Sequence, residues 1–184
     1  MRVLFFSDIH GVPDTVTRLF AHADRLGADR LVLLGDALSH GPRNGVPEFY
    51  DSPRVAGLLN SRRDDILAVR GNCDSEADQQ LLNFPIMDDH TELVAGNRRF
   101  FLTHGHLWNR FNPPPVPDRT VLAHGHTHIP EIIAADGIII FNPGSITLPR
   151  GGSPRSFGFF DGETLSVRRL DDGGVILSGQ GMLP

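Results

Sequence analysis

Five short polar segments of the chain carry the residues that could do chemistry. They are Asp8-Ile9-His10-Gly11, Gly35-Asp36, Gly71-Asn72-Cys73-Asp74, Thr103-His104-Gly105-His106 and Gly125-His126-Thr127-His128. Each segment follows a short apolar run that is typical of a buried strand. Ligands of α/β proteins collect beyond the carboxyl ends of strands, so strands that share a sheet would bring these segments to one rim.

The side chains in these segments are carboxylates, imidazoles and an amide, a donor set that suits Mn²⁺, Fe²⁺, Zn²⁺ or Co²⁺. The candidate ligands number more than one ion needs, and they are Asp8, His10, Asp36, Asn72, His104, His126 and His128. Two ions that share one bridging carboxylate would use all of them and leave positions for water or substrate. Two divalent cations and two aspartates leave about two net positive charges, which suits a phosphoryl group. Such a pair, about 3.5–4 Å apart, can bind phosphoryl oxygens and supply a bridging hydroxide for in-line attack.

The elements that must position these residues are of the α/β type. Strands are predicted at residues 2–7, 30–34 and 66–69, with helices from Pro13, Pro53 and Ser75 between and after them, a pattern typical of parallel βαβ units. Further strands are predicted at 99–103 and 121–124. Hairpin turns are predicted at residues 136–137, 161–162 and 171–174, where Asp-Gly pairs occur. We therefore expect one domain over residues 1–184, with two packed sheets and helices outside.

Composition narrows the function classes. The 184 residues carry a formal charge of −5, which argues against nucleic-acid binding through a general basic surface. All 17 basic residues are arginine, so Schiff-base chemistry and lysine-dependent P-loops are excluded. The apolar runs are too short to span a bilayer, and Asp8 interrupts any signal-peptide core. A single cysteine fits a reducing cytoplasm, which is the expected location, with no membrane partner.

The order of the motifs resembles the calcineurin-like metallophosphoesterases, and the small bacterial phosphodiesterases among them. Their blocks D-x-H, G-D, G-N-[HC]-[DE], a histidine after a strand and G-H-x-H all occur here in order, from Asp8 to His128. The likeness continues through residues 40–44 and 142–145. The resemblance implies a four-layer αββα sandwich of two mixed sheets flanked by helices.

The resemblance also implies a division of labour among the ligands. One metal ion would be held by Asp8, His10, Asp36 and His128, and the second by Asp36, Asn72, His104 and His126, with Asp36 bridging. The expected cofactors are two divalent ions, with Mn²⁺ favoured and Zn²⁺, Fe²⁺, Co²⁺ or Ni²⁺ as alternatives. The expected activity is hydrolysis of a small phosphodiester.

One position departs from the family pattern. Many members carry a histidine where this chain has Cys73, and that histidine donates a proton or binds phosphate. A thiol with an ordinary pKa of about 8.5 is a poor replacement for an imidazole. Cys73 is predicted to be a buried neighbour of the site rather than a nucleophile, because a metal-bound hydroxide makes a covalent intermediate unnecessary. His106 and His40 are the candidates to protonate the leaving group. The alternative is a preference for good leaving groups such as phenols.

The remaining polar candidates have binding or structural interpretations. Arg43 could bind substrate phosphate through its planar guanidinium, as could His40, or Arg43 could be a solvated loop residue. Asp74 is predicted to cap a helix and orient its neighbours. His124 should point away from the cluster by strand alternation. His22 and His90, which have no polar partners in sequence, are predicted to lie on the surface.

Two other functions compete with the phosphodiesterase. The retromer subunit that shares this fold is a protein-interaction scaffold with an eroded metal site, whereas the ligand set here is intact. A phosphomonoesterase or a single-strand nuclease could use the same site. The acidic net charge and the scarcity of aromatic residues near the motifs disfavour the nuclease. A homo-oligomer is also compatible with the sequence.

Overall fold

The computed structural model describes residues 1–179, in which strands and short helices alternate before a β-rich second half. The elements are β1 (Val3–Phe6), α1 (Pro13–Leu26), β2 (Arg30–Leu33), α2 (Ser52–Asn60), β3 (Ile66–Ala68), α3 (Glu76–Leu81), β4 (His90–Ala95), β5 (Arg98–Thr103), β6 (Val121–Ala123), β7 (Glu131–Ala135), β8 (Ile138–Asn142), β9 (Ser156–Phe160), β10 (Leu165–Arg169) and β11 (Val175–Ser178).

The first sheet has the strand order β11-β10-β9-β1-β2-β3. Strands β1, β2 and β3 run parallel, as the predicted βαβ pattern requires, and β9 pairs antiparallel with β1. The carboxyl ends of β1, β2 and β3 therefore lie at the same edge of this sheet. The second sheet has the order β4-β5-β6-β8-β7, with β5, β6 and β8 parallel.

Strand alternation sorts the apolar side chains into layers. Phe5 of β1 packs between the two sheets, with Phe100 and Phe141 of the second sheet. Leu4 and Phe6, which point the other way, belong to the core beneath the helices. Helix α1 adds its buried stripe, including Val16 and Leu19, to that core, and the left-handed Gly27 ends the helix.

The predicted α/β architecture of two mixed sheets flanked by helices is confirmed. The expected helical layer on the outer face of the second sheet is absent from residues 1–179. Trp108 and Val116, from the loop between β5 and β6, pack there instead against Phe101 and Leu122. A long loop therefore covers the outer face of the second sheet with a few apolar side chains, where the family resemblance implies helices.

Two sequence-based expectations about histidines met different outcomes. His90 is exposed, as predicted. The prediction for His22 was wrong, because its ring is buried against Phe157 and its Nε2 lies 2.7 Å from the Leu170 carbonyl oxygen. A partner 148 residues away in the chain gives no local signal. In the part of the chain that the structure describes, no helix combines the length and apolarity that a membrane crossing requires.

Candidate metal centre

The five polar segments converge where the carboxyl ends of strands from both sheets meet. Asp8 and Asp36 follow β1 and β2 of the first sheet, while His104 and His128 come from the segments that follow β5 and β6 of the second. Across the junction, His128 Nε2 lies 3.2 Å from Asp8 Oδ1, and His104 Nε2 lies 3.4 Å from Asp36 Oδ2. The segments therefore share one rim, but their strands belong to two sheets rather than to the single shared sheet from which one rim was expected, and the rim lies between these sheets.

One group of possible ligands surrounds the Nε2 atom of His10. This atom lies 3.8 Å from Asp8 Oδ1, 3.4 Å from His128 Nε2 and 3.9 Å from Asp36 Oδ2. Asp8, His10 and His128 form a buried set with ligand atoms within 4.8 Å of one another. This spacing could hold a metal ion with two imidazoles and one or two carboxylates.

A second group gathers around His104. Its Nε2 lies 3.1 Å from Asn72 Oδ1 as well as near Asp36, and its ring centroid is 5.1 Å from that of His126. The Asp36 carboxylate thus lies between the two groups, within 4 Å of an imidazole nitrogen of each. This is the position that a bridging carboxylate would need.

The histidines are oriented by their outer ring nitrogens. The Nδ1 atoms of His10, His104 and His128 lie 2.9, 2.7 and 2.6 Å from backbone carbonyl oxygens, those of Ser39, Leu34 and Leu148. A carbonyl oxygen accepts only, so Nδ1 carries the proton in each ring. The Nε2 atoms therefore face the centre, which is the arrangement that metal-binding histidines adopt.

The backbone is strained at the same place. Five of the eight non-glycine residues with positive φ in residues 1–179 are candidate ligands, with values from 48° to 67°: Asp8, His10, Asp36, His126 and His128. The left-handed conformation costs such residues roughly 1–2 kcal/mol each. Strain of this kind concentrates at functional sites, where the surrounding structure enforces it.

Charges in the cluster are strongly coupled. Burial opposes ionisation of Asp8 and Asp36, but the neighbouring imidazoles outweigh it and hold the pKa of both carboxyls below the ordinary value. Burial likewise opposes protonation of His104, yet the hydrogen bond and charge of Asp36 raise the pKa of this histidine to about 9. Burial lowers the pKa of His126. Without a cation, His104 is therefore protonated at neutral pH, and its charge faces the Asp36 carboxylate.

The donor set fits divalent cations. It combines buried carboxylates with imidazoles whose Nε2 atoms face them, and Oδ1 of Asp8 is buried without a well-aligned hydrogen bond in the described residues. A buried carboxylate oxygen without a donor is costly, and a cation would satisfy it. Oxygen and imidazole donors match the chemistry of Mn²⁺, Fe²⁺, Co²⁺ and Zn²⁺.

Asp74 ties two of the ligand loops together. Its carboxylate accepts hydrogen bonds from the backbone N–H groups of Gly71, Asp36 and Ala37, at 2.7–2.9 Å. The prediction that Asp74 caps a helix was wrong, because Ser75 is the N-cap of α3. The predicted orienting role remains, and its partners lie in the loop that carries Asp36.

Glycine allows close approach of these loops. A Cβ atom on Gly71 would collide with the carboxylate and backbone nitrogen of Asp36. A Cβ atom on Gly125 would collide with the side chain of Ser7, directly before Asp8. Both glycines are the first residue of a ligand motif, which explains why those motifs begin with glycine.

The turn at residues 142–145 shapes the rim. Ser145 is buried, and its hydroxyl donates to the Asp8 carbonyl oxygen at 2.9 Å. Asn142 Nδ2 donates to the Gly125 carbonyl oxygen at 2.8 Å. His124 is buried beside this amide, and its Nδ1 lies 3.3 Å from Asn142 Nδ2, consistent with a structural role.

A cleft of about 370 Å³ opens beside the cluster. Its lining contains Asp36, Asn72, His126 and His128 together with other residues, which are Gly41, Pro42, Arg43, Asn44, Cys73 and Arg150. The structure thus brings Arg43 and Cys73 to the cleft. Burial and the charge of Asp36 raise the pKa of the Cys73 thiol to about 12, so the thiol is neutral at physiological pH.

The two other candidate residues lie outside the cleft lining. His40 is turned toward Tyr50, with ring centroids 5.4 Å apart, and its Nδ1 lies 2.8 Å from the Gly41 carbonyl oxygen. The ring of His106 lies 5.5 Å from that of His104, and burial lowers its pKa. Their proposed roles remain predictions.

Sequence reasoning missed Arg150 and Asn44 as individual residues of the site. The backbone N–H of Arg150 donates to the His128 carbonyl oxygen at 3.1 Å, and its Nη2 donates to Asn44 Oδ1 at 2.8 Å. Arg150 lies 22 residues beyond His128 in a Pro-Arg-Gly-Gly turn, which carries no signal of a binding residue.

Comparisons with known proteins by sequence and by structure all find phosphoesterases. Residues 1–165 match the model of the calcineurin-like phosphoesterase superfamily domain. The chain is 48% identical over 179 residues to phosphodiesterase YfcE of Escherichia coli K12, which covers 96% of both chains. It is 27% identical to the probable metallophosphoesterase YsnB of Bacillus subtilis, over 95% of this chain and 93% of that one. The solved structure of YfcE, described as a phosphoesterase from E. coli, superposes with a TM-score of 0.94 at 44% identity, covering 97% of this chain and 98% of that chain. The chain belongs to the calcineurin-like phosphoesterase superfamily.

Proposed function

We propose that the protein hydrolyses small phosphodiesters with the help of two divalent cations. One observation carries the proposal: Asp36 lies between two groups of imidazole and carbonyl donors, each within reach of its carboxylate. The similarity to a protein named phosphodiesterase supports the reaction class. Fold alone would not, because one fold supports many reactions.

The ligands divide between the two groups. Asp8, His10 and His128 would hold one cation with Asp36, and Asn72, His104 and His126 would hold the second with the same carboxylate. The donors are hard or borderline, and Mn²⁺ is the ion we favour over Zn²⁺, Fe²⁺, Co²⁺ or Ni²⁺. Divalent cations bound there would neutralise phosphoryl charge and make water more acidic.

The protein's own residues would bind and orient the substrate. The cleft wall presents Arg43, whose guanidinium can donate two parallel hydrogen bonds to anionic oxygens of the substrate. The loop that carries Arg43 packs closely on Cys73. Gly41 of this loop lies so near that a Cβ atom on it would collide with the Cys73 sulfur. This packing fixes the wall of the cleft relative to Asn72.

The cleft is poor in proton donors. Apart from the proposed ligands, its titratable groups among the described residues are the thiol of Cys73, whose pKa burial raises, and the two arginines. Arginine is not deprotonated in proteins. We therefore propose a preference for diesters whose leaving group is weakly basic, such as a phenolate, over alkyl esters.

Hydrolysis assays with metal-stripped protein test the proposal. Bis-p-nitrophenyl phosphate and p-nitrophenyl phosphate are offered with Mn²⁺, Mg²⁺, Zn²⁺ or no ion. We expect metal-dependent cleavage that favours the diester. The Asp36→Ala variant should be inactive, whereas Asp64→Ala, which removes a carboxylate with a 91% exposed side chain, should keep full activity.

Two results would contradict the proposal. Preferred cleavage of the monoester would indicate a phosphomonoesterase on the same site. No turnover by folded protein with any ion would favour the scaffold function and direct the search toward binding partners.

A further inference from the structure

With two cations bound, the cleft beside the proposed metal centre would hold more positive charge than a simple diester needs. Two dications held by Asp8 and Asp36 would leave about two positive charges at the centre. A phosphodiester carries a single negative charge. The cleft adds the guanidinium groups of Arg43 and Arg150, while Asp36 is the one carboxylate in its lining within residues 1–179.

Both guanidiniums are available to a ligand. No carboxylate oxygen of residues 1–179 lies within 4 Å of Arg43 or Arg150 as an ion pair. Several other arginines of this acidic chain are paired, such as Arg62 with Asp24 and Arg99 with Glu92. Unpaired guanidinium groups at the mouth of a cleft attract anions.

Arg150 is held in place on two sides. Its backbone N–H is hydrogen-bonded to the His128 carbonyl oxygen, and its Nη2 to Asn44 Oδ1. Asn44 is itself fixed, because its Nδ2 donates to the His40 carbonyl oxygen at 2.9 Å. One nitrogen of the guanidinium is thus used for positioning, and no side chain or backbone group of residues 1–179 occupies the others. Preorganised donors bind with less loss of side-chain entropy.

We propose that the preferred substrate is a small phosphodiester that carries a second phosphate, bound by Arg43 and Arg150 while the scissile phosphate lies at the metal centre. This inference rests on the proposed phosphodiesterase function and names its substrate class. The volume of about 370 Å³ lies within the range of small-molecule sites, about 300–1,000 Å³. Guanidinium groups suit a phosphate because their planar fork matches two of its oxygens.

A matched pair of chromogenic diesters tests the inference. Thymidine 5′-(p-nitrophenyl phosphate) and its 3′-phosphorylated form share the scissile bond and the leaving group, and differ only in the second phosphate. We expect the Mn²⁺-loaded protein to cleave the 3′-phosphorylated form with a kcat/KM about 10- to 100-fold higher, the effect of one or two charge-assisted hydrogen bonds.

Variants assign the effect to the arginines. Arg150→Gln and Arg43→Gln should each reduce the preference at least about fivefold, and the double variant should bring the ratio of kcat/KM values close to one. Arg63→Gln is the matched control, since Arg63 is exposed and contacts only Asp64 in the ion pairs of the described residues. This control should keep the wild-type ratio.

Three outcomes would overturn the inference. Equal cleavage of both diesters by the wild type would show that the second phosphate is not recognised. An equal loss of kcat/KM for both diesters in the arginine variants would show that the arginines bind the scissile phosphate. Failure to cleave either diester would refute the phosphodiesterase function itself, which separates that failure from the first two.

Discussion

Binding of metal to the stripped protein should release a proton from His104. Burial opposes protonation of this imidazole, but Asp36 outweighs it and raises the pKa to about 9. At pH 7.5, about 30 protonated rings then exist for each neutral ring. A metal ion binds only the neutral imidazole, so at that pH its binding must displace nearly one proton from His104.

The magnitude follows from the difference between pH and pKa. The apparent affinity of the cation that uses His104 should rise about tenfold per pH unit between pH 7 and 9 and then level off. Competition with the proton therefore costs about 2 kcal/mol at pH 7.5. His128, whose pKa Asp8 raises against the effect of burial, should add to the count of released protons.

Calorimetry gives the proton count directly. Titration of stripped protein with Mn²⁺ in buffers of different ionisation enthalpy should show at least about one proton released at pH 7.5 and a smaller count at pH 9.5. His104→Gln should lower the count, whereas His90→Gln, at an exposed position of β4, should not. An unchanged count between pH 7.5 and 9.5 would refute the reasoning about the His104–Asp36 pair.

Three further predictions concern residues around the cluster. Asp74→Ala removes the acceptor of three backbone hydrogen bonds and should lower the free energy of unfolding by about 2–4 kcal/mol in urea titrations. A loss below about 0.5 kcal/mol would show that Asp74 does not stabilise these loops. Gly71→Ala should weaken Mn²⁺ binding at least about tenfold by calorimetry, because the new Cβ atom collides with Asp36. The control is Gly57→Ala, where the space around the Cβ atom is open, and it should bind Mn²⁺ as the wild type does. The thiol of Cys73, with a pKa of about 12, should react slowly with iodoacetamide at pH 7.5 by mass spectrometry, and rapid labelling would show that the thiolate is accessible.

The candidate ligands could be predicted from the sequence because each of their motifs is local. Asp8, Asp36 and Asn72 each follow a short apolar strand, and parallel strands place such ends together. The second set, from His104 to His128, follows strands of the other sheet, so the expectation of one shared sheet did not predict how the two sets meet. In the structure they meet through the His128–Asp8 and His104–Asp36 contacts.

What the sequence did not predict depends on distant contacts or weak patterns. Strand β4 was missed because it lies at the edge of a sheet and Ala95 alone of its six residues is fully buried. Arg150 reaches Asn44 across 106 residues, and a turn sequence does not reveal such a partner. The layer over the outer face of the second sheet is formed by Trp108 and Val116 in a proline-rich loop. Such a loop has no helix or strand periodicity from which its buried residues could be predicted.

We propose that two divalent cations at this centre drive phosphodiester hydrolysis. The most direct test is to add Mn²⁺ in known equivalents to metal-stripped protein and follow the cleavage of bis-p-nitrophenyl phosphate. We predict that activity is absent without metal and reaches its plateau at two bound ions per chain. Full activity in stripped protein, or a plateau at one bound ion, would contradict the account.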